Sequence, residues 1–335
     1  MDMLEFERKY WNFDYHKIAG IDEAGRGPLA GPVVASAVIF PKDISLPEVT
    51  DSKKISEKKR ERLFHDIYTK ALSIGIGIVH EDEIDNKNIL QATYLAMRQA
   101  IGKLSIKPDI VLIDGNKADI KHYKQKNIIN GDQKSLSIAA ASIIAKVTRD
   151  QIMRQYDIIF PEFGFAKHKG YGTKQHFEEI INQKASPIHR KSFNPIQNHL
   201  PTFAYIKRNH LINRLGKQLV ACHLIRIGHE IVKLDYDNSQ VKEIDIISRY
   251  KGELIFTNVD TMTIEYRRKN IELPTDVLEE NRILDFIKNY IADQALDGKF
   301  QLYMSKIYLG KGSPKIKIFN KSIVNNSIKK LEENY

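Results

Sequence analysis

The sequence predicts an α/β protein made of two successive units. Three observations carry that expectation. Short β-prone runs alternate with helical patterns from Lys17 to Tyr156. Between Pro161 and Leu200 the composition shifts to Gly, His, Pro and Asn. A second series of helix and strand patterns follows, in a chain of 335 residues, where one domain usually takes roughly 100–200.

The elements follow in order. Lys17 to Phe40 is β-prone and broken by Gly25-Arg26-Gly27-Pro28, the pattern of a hairpin. Ile55 to Leu72 is charged, with an apolar stripe at Leu63, Ile67 and Leu72, and is expected to be helical. Ser73 to Val79 reads as a strand and Asn88 to Leu104 as a helix ended near Lys107-Pro108. Asp109 to Ile113 is a short apolar run, the mark of a buried strand, and it delivers Asp114 at its C-terminal end. Ser135 to Tyr156, rich in Ala and Ile, reads as a mostly buried helix. The first unit is expected to span residues 1–200, with the boundary near Leu200-Pro201, and the second 207–335. In the second, Leu211 to Ile227 and Asp276 to Ala295 read as helices. Glu230 to Leu234, Glu243 to Ser248, Glu253 to Val259 and Lys315 to Phe319 read as strands.

The chain carries 52 Lys and Arg against 42 Asp and Glu, a net charge of +10. Residues 1–200 hold 30 basic and 25 acidic groups and residues 201–335 hold 22 and 17, so the excess is spread evenly. A distributed positive charge suits a polyanionic partner through phosphate neutralisation. Cys222 is the only cysteine, which excludes an intrachain disulfide and a cysteine-built zinc site. No apolar run approaches the roughly 20 residues of a membrane span. The charged, aromatic start from Met1 to Tyr15 is unlike a signal peptide, so a cytoplasmic location is expected.

The chemistry is concentrated in acidic residues at strand ends. Asp22-Glu23 follows the run Ile18 to Ile21, Asp114 follows Ile110 to Ile113, and Asp132 precedes the Ala-rich helix. Hydrolysing a phosphodiester near neutral pH requires an activated water and neutralisation of the leaving oxygen, and two divalent ions about 3.5–4 Å apart do both. Magnesium-type ions take hard oxygen ligands, so carboxylate clusters hold them. Spacing alone leaves an alternative open. An acidic residue at a strand end is often a turn or cap residue, and Asp132 can cap the helix starting near Ser135. Neighbouring Asp22 and Glu23 also point to opposite faces of a regular strand.

The surrounding residues narrow the choice. Ile21-Asp22-Glu23-Ala24-Gly25-Arg26-Gly27-Pro28-Leu29-Ala30-Gly31-Pro32-Val33 closely resembles the signature of the ribonuclease HII family. So do Asp51-Ser52-Lys53-Lys54-Ile55-Ser56, Leu112-Ile113-Asp114-Gly115-Asn116, Gly131-Asp132 with Ile138 to Asp150, and Lys169-Gly170-Tyr171-Gly172-Thr173. The resemblance covers about residues 15–200. It implies an RNase H-like mixed sheet with flanking helices, and Asp22, Glu23, Asp114 and Asp132 as catalytic ligands of Mg²⁺ or Mn²⁺. It further implies an endonuclease that cuts the RNA strand of RNA–DNA hybrids, and single ribonucleotides embedded in duplex DNA, leaving 3′-hydroxyl and 5′-phosphate ends. Gly25, Arg26 and Gly27 are expected to approach a ribose closely and offer amides to its 2′-hydroxyl, the group that separates RNA from DNA. Tyr171 is expected to stack on the neighbouring sugar; its alternative is a packed tyrosine. Lys53, Lys54, Lys146 and Arg149 are candidate phosphate contacts or ordinary solvated charges. The related ribonuclease HIII group lacks the Gly-Arg-Gly form and carries a large N-terminal domain, whereas 21 residues precede Asp22 here. The competing class of function is a nucleic-acid-binding or scaffolding protein without catalysis.

Residues 207–320 resemble, more weakly, the YraN-like family with a restriction-endonuclease-type fold. The resemblance rests on Arg214-Leu215-Gly216, Gly228, Glu243 to Ile247 and Leu254-Ile255-Phe256. A nuclease site of that type needs an Asp followed by Glu-X-Lys on the next strand. Asp245 stands in the first place, but Asn258-Val259-Asp260 stands in the second, and Lys217 where the family has an early Glu. Losing a ligand and inverting the lysine's charge implies an inactive module that grips nucleic acid or a protein partner not identifiable from sequence.

Overall fold

The computed structural model describes residues 2–42, 44–49, 55–116, 118–234, 244–263, 277–294, 300–310, 314–321 and 328–331. The chain divides into two compact units, Met1–Arg154 with Gly164–Leu200, and Gln155–Phe163 with Pro201–Tyr335. No helix among the described residues is long and apolar enough to cross a membrane.

The first unit is built on a five-stranded mixed sheet. Its strands are β1 (Ile18–Ala24), β2 (Val33–Ile39), β3 (Ser73–Val79), β4 (Ile110–Asp114) and β5 (Gln125–Ile128), in the order β3-β2-β1-β4-β5. The first three pair antiparallel, and β4 and β5 join parallel to β1. The helices in the same stretch are α1 (Glu5–Trp11), α2 (Glu57–Lys70), α3 (Glu81–Lys87), α4 (Ile89–Gly102) and α5 (Leu136–Ile159). Ser56 and Asn88 cap α2 and α4 by accepting the amides of Lys59 and Gln91.

Strand alternation sorts the side chains into two cores. Ile21, Val33, Ala35, Ala37, Val111 and Ile113 pack with Ala92, Ala96 and Ala100 of α4. On the opposite face Val38 packs with Leu63 and Ile67 of α2 and with Ala139 to Ile144 of α5, while Ile18, Leu112 and Ile128 meet Ile138. Helix α5 passes so close to β1 that a Cβ on Gly20 would collide with the Ser137 backbone, which is why glycine stands there. Glu7 of α1 ties down the start of α5, accepting from Ser135 Oγ at 2.6 Å, Ser137 Oγ at 2.6 Å and Ser137 N at 3.0 Å.

After α5 come α6 (Phe165–His168) and α7 (Lys174–Gln183), capped by Thr173. The second unit contains α8 (Phe203–Arg208), α9 (Ile212–Arg226), β6 (Glu230–Leu234), β7 (Ile246–Tyr250), β8 (Glu253–Thr263), α10 (Val277–Asp293), β9 (Phe300–Leu309), β10 (Lys315–Lys321) and β11 (Ile328–Leu331). Its sheet runs β11-β10-β9-β8-β7-β6. All neighbours are antiparallel except β8 and β9, which α10 connects in parallel. Ile283, Phe286 and Ile287 of α10 pack on Ile247, Leu254, Phe256 and Leu302.

Candidate active site

Register brings the first two aspartates together. Ile21 pairs with Ile113 at the end of the parallel β1–β4 ladder, so Asp22 and Asp114 are the next neighbours along it. Parallel neighbours project to one face, and here that is the α5 face, opposite to the one on which Ile21 and Ile113 join the α4 core. Asp22 is 6% exposed. Its Oδ1 accepts the Glu23 amide at 2.7 Å, and the Ser142 hydroxyl of α5 also bonds its carboxyl. Burial first, then the charges of Glu23 and Asp114, push the Asp22 carboxyl well above the usual carboxylate range.

Glu23 is still inside β1, and its parity sends it towards the α4 face. It nonetheless lies close enough to act on Asp22 electrostatically, and Arg26 Nη1 meets its Oε1 at 3.2 Å. Asp114 Oδ1 accepts the Gly131 amide at 2.6 Å, which docks the turn Gly131–Gln133 against the end of β4. That turn carries Asp132, itself buried. The donor chemistry, hard carboxylate oxygens with mutual repulsion, fits a divalent cation. Among the described residues, however, no three or more His, Cys, Asp or Glu side chains are arranged to hold an ion. Glu23 and Asp114 each also meet a protein donor, Arg26 Nη1 and the Gly131 amide.

Beside the carboxylates lies the Gly-Arg-Gly turn. Gly25 has φ +97, a left-handed conformation that glycine adopts freely, and a Cβ on it would run into the Arg149 side chain. Arg26 and Gly27 are exposed. The Tyr171 ring is the nearest group to a Cβ placed on Gly27, at 3.8 Å, and Tyr171 is 44% exposed, so it is not a packed core residue.

The loop bearing Tyr171 hangs on a chain of histidines. The Ser186 amide donates to His189 Nδ1 at 2.9 Å, which makes that nitrogen an acceptor and puts the ring proton on Nε2. His189 Nε2 then donates to His176 Nε2 at 3.0 Å, and His176 Nδ1 donates to the Tyr171 carbonyl at 2.9 Å. Burial, then the neighbouring histidine charge, lowers His189 to about 3; burial chiefly lowers His176 to about 4. Both are neutral near pH 7.

The expected phosphate contacts fare differently. Arg149 is 1% exposed and spends its guanidinium on the carbonyls of Pro32, Lys169 and Ala30 at 2.9, 3.0 and 3.1 Å. That placement corrects the expectation of a phosphate contact, because a guanidinium enclosed by carbonyls is not presented to a ligand. Lys146 Nζ is 2.7 Å from Asp150 Oδ1 and partly exposed. Lys53 and Lys54 lie outside the described residues. Arg190, His176, His189 and Ser142 are parts of the site that the sequence reading does not single out. The histidines were visible only as a composition shift, and a buried arginine looks like a surface one in sequence.

In the second unit, Asp245 has both oxygens engaged. Lys217 Nζ stands 2.8 Å from Oδ1, and the Val259 amide donates to Oδ2 at 2.7 Å.

The family model described as ribonuclease HII matches residues 19–196. The ribonuclease HII of Clostridioides difficile is 57% identical over 188 residues, covering 56% of this chain and 74% of that protein. That of Acetivibrio thermocellus is 54% identical over 193 residues, covering 58% and 75%. Among solved structures, the ribonuclease H2 of Pyrococcus horikoshii OT3 aligns with a TM-score of 0.49 at 27% identity, covering 54% of this chain and 96% of that one.

Proposed function

The chain belongs to the ribonuclease HII family and is an endoribonuclease acting on RNA–DNA hybrids, and from that premise we propose how its residues divide the work. Asp22, Glu23, Asp114 and Asp132 hold Mg²⁺ or Mn²⁺. The observation that carries this reading is the parallel register that sets Asp22 beside Asp114, with Asp22 driven well above its usual pKa by burial and by its acidic neighbours. A divalent cation held by these carboxylates would supply neutralisation of charge at the scissile phosphate and a more acidic attacking water. The chain's own groups do the rest. Arg26 and Gly27 present amides to the ribose 2′-hydroxyl, and Tyr171, exposed beside Gly27, packs on the sugar. The hydroxyl is read and does not attack, and because one hydroxyl is read, a single ribonucleotide within duplex DNA suffices as a substrate. Cleavage falls on its 5′ side and leaves 3′-hydroxyl and 5′-phosphate ends.

The second unit, residues 207–335, is a restriction-endonuclease-type module that binds without cutting. The three-strand meander β6-β7-β8 followed by the α10 crossover to β9 supports that topology. The Lys217–Asp245 pair supports the loss of chemistry, since an ammonium already neutralises the carboxylate.

Thermal melts of wild-type, Asp22→Asn and Asp114→Asn proteins test the metal site. Relieving carboxylate repulsion should leave each variant as stable as wild type, or slightly more so, without metal. Millimolar Mg²⁺ or Mn²⁺ should raise the midpoint of the wild type only, and both variants should lose cleavage. Near wild-type turnover in either variant would remove the site.

A further inference from the structure

The Gly-Arg-Gly turn is held from within by two arginines. Arg190 sends Nη2 to the Gly25 carbonyl at 2.5 Å, Nη1 to the Arg26 carbonyl at 2.8 Å and Nε to the Gly31 carbonyl at 3.0 Å. Arg149 takes the carbonyls of Ala30 and Pro32, and bridges to that of Lys169, two residues before Tyr171. Both guanidiniums are buried, at 0% and 1% exposure.

Such an arrangement is costly as mere filling. Two cations out of water repel each other, and apolar side chains of like volume usually stabilise a fold as well or better. Burial, then the Arg149 charge, brings Arg190 down to about 9. Glu81 and Asp85 of α3 offset part of that, and Asp85 also anchors the amides of Lys191 and Ser192 at 3.0 and 2.8 Å. What only a planar fork supplies is a fixed direction for several carbonyls at once.

That direction has a consequence for the amides. In a trans peptide the C=O and the N–H of one plane point opposite ways. With the Gly25 and Arg26 carbonyls turned inward to Arg190, the amides sharing those planes, of Arg26 and Gly27, turn outward at two exposed residues next to Tyr171.

We propose that Arg190 and Arg149 are positioning residues for ribonucleotide selectivity: they draw the carbonyls of the Gly25–Pro32 turn inward and so aim the Arg26 and Gly27 amides at the sugar's 2′-oxygen. The proposal rests on the reading of that turn as the ribose contact. Arg→Lys keeps the charge and loses the fork, so aim should suffer.

The test compares cleavage by the full chain of two DNA duplexes, one with a single ribonucleotide and one with a 2′-fluoro nucleotide at that place. Fluorine is a poor acceptor, so the rate ratio reports the amide contact. Arg190→Lys and Arg149→Lys should each lower that ratio about tenfold or more, mostly through kcat on the ribonucleotide, since small misplacements of aligned groups cost up to about 100-fold. A purely structural role would lower both rates by one factor and leave the ratio unchanged, which would overturn the proposal. Failure of both variants to give a cooperative melt would also overturn it, by assigning the arginines to stability. Gly27→Ala separates the two layers of the argument. If it leaves the ratio unchanged, the turn is not the ribose contact. If it lowers the ratio while both lysine variants do not, the contact stands and the clamp falls.

Discussion

Asp22 shows what one position in a register can do. Its burial, its acidic neighbours and the Ser142 hydroxyl follow from its place at the end of a parallel ladder beneath α5. The strand-end aspartates were legible in sequence because apolar runs lead into them. The Asp22–Glu23 parity problem was legible too, and strand pairing alone does not remove it: Glu23 still pairs with Ala35 inside β1. The place of Arg149 is not legible in the sequence, for a physical reason. A cation buried on carbonyls and one facing phosphate carry the same letter, and only the fold decides which it is. The Tyr171 side chain stands apart from the core. Its ring lies in the open beside Gly27 and packs little of the core. Tyr171→Ala should therefore leave the melting midpoint nearly unchanged. It should reduce kcat at a single embedded ribonucleotide roughly 10–100-fold, with a much smaller change in duplex affinity. An affinity loss as large as the rate loss would make Tyr171 a general grip on the duplex.

Among the elements, those with strong apolar periodicity were readable: β1 and β2 as a hairpin, then α2, β3, α4, β4 and α5. Those that escaped lack a pattern. Strand β5 is four residues, Gln125–Ile128, with one buried side chain, and α3 is an acidic segment with a single buried apolar residue, Ile84. The sequence pattern does not mark the ten-residue β9: its Leu302, Tyr303 and Ile307 are buried, but its polar members Ser305 and Lys306 are buried as well, which blurs the alternation. The loop between α6 and α7 depends on its histidines. His189 and His176 have pKa values lowered from 6.5 to about 3 and about 4, so the unfolded chain binds the proton more readily. Stability from this source is complete above pH 6.5 and is lost as pH falls towards those values. The slope is about 1.4 kcal/mol per pH unit for each histidine. Urea unfolding from pH 7 to 4 should show a shallower loss for His189→Gln than for wild type. Parallel curves would mean that these rings protonate in place without disturbing the fold.

The sequence carries an even positive charge, and each unit has its own sheet. Its second unit has two basic stretches: Arg267-Arg268-Lys269 lies outside the described residues, and within Lys311 to Lys317 both Lys315 and Lys317 stand exposed on β10. If the second unit holds a phosphate backbone, Lys315→Glu with Lys317→Glu in the full chain should weaken duplex binding. It should also flatten the dependence of affinity on salt, by about one unit of log–log slope per lost contact. Unchanged affinity and slope would assign those lysines to a solvated face. One experiment addresses the chemistry at the single sugar directly. The full chain is incubated with Mg²⁺ or Mn²⁺ and an end-labelled DNA duplex containing one ribonucleotide, and the product termini are identified. A single nick on the 5′ side of the ribonucleotide, with a 3′-hydroxyl and a 5′-phosphate, is the expected result. A 2′,3′-cyclic phosphate would make the ribose the nucleophile, and an intact duplex alongside cleaved RNA–DNA hybrid would mean that one 2′-hydroxyl is not enough; either result would contradict the account.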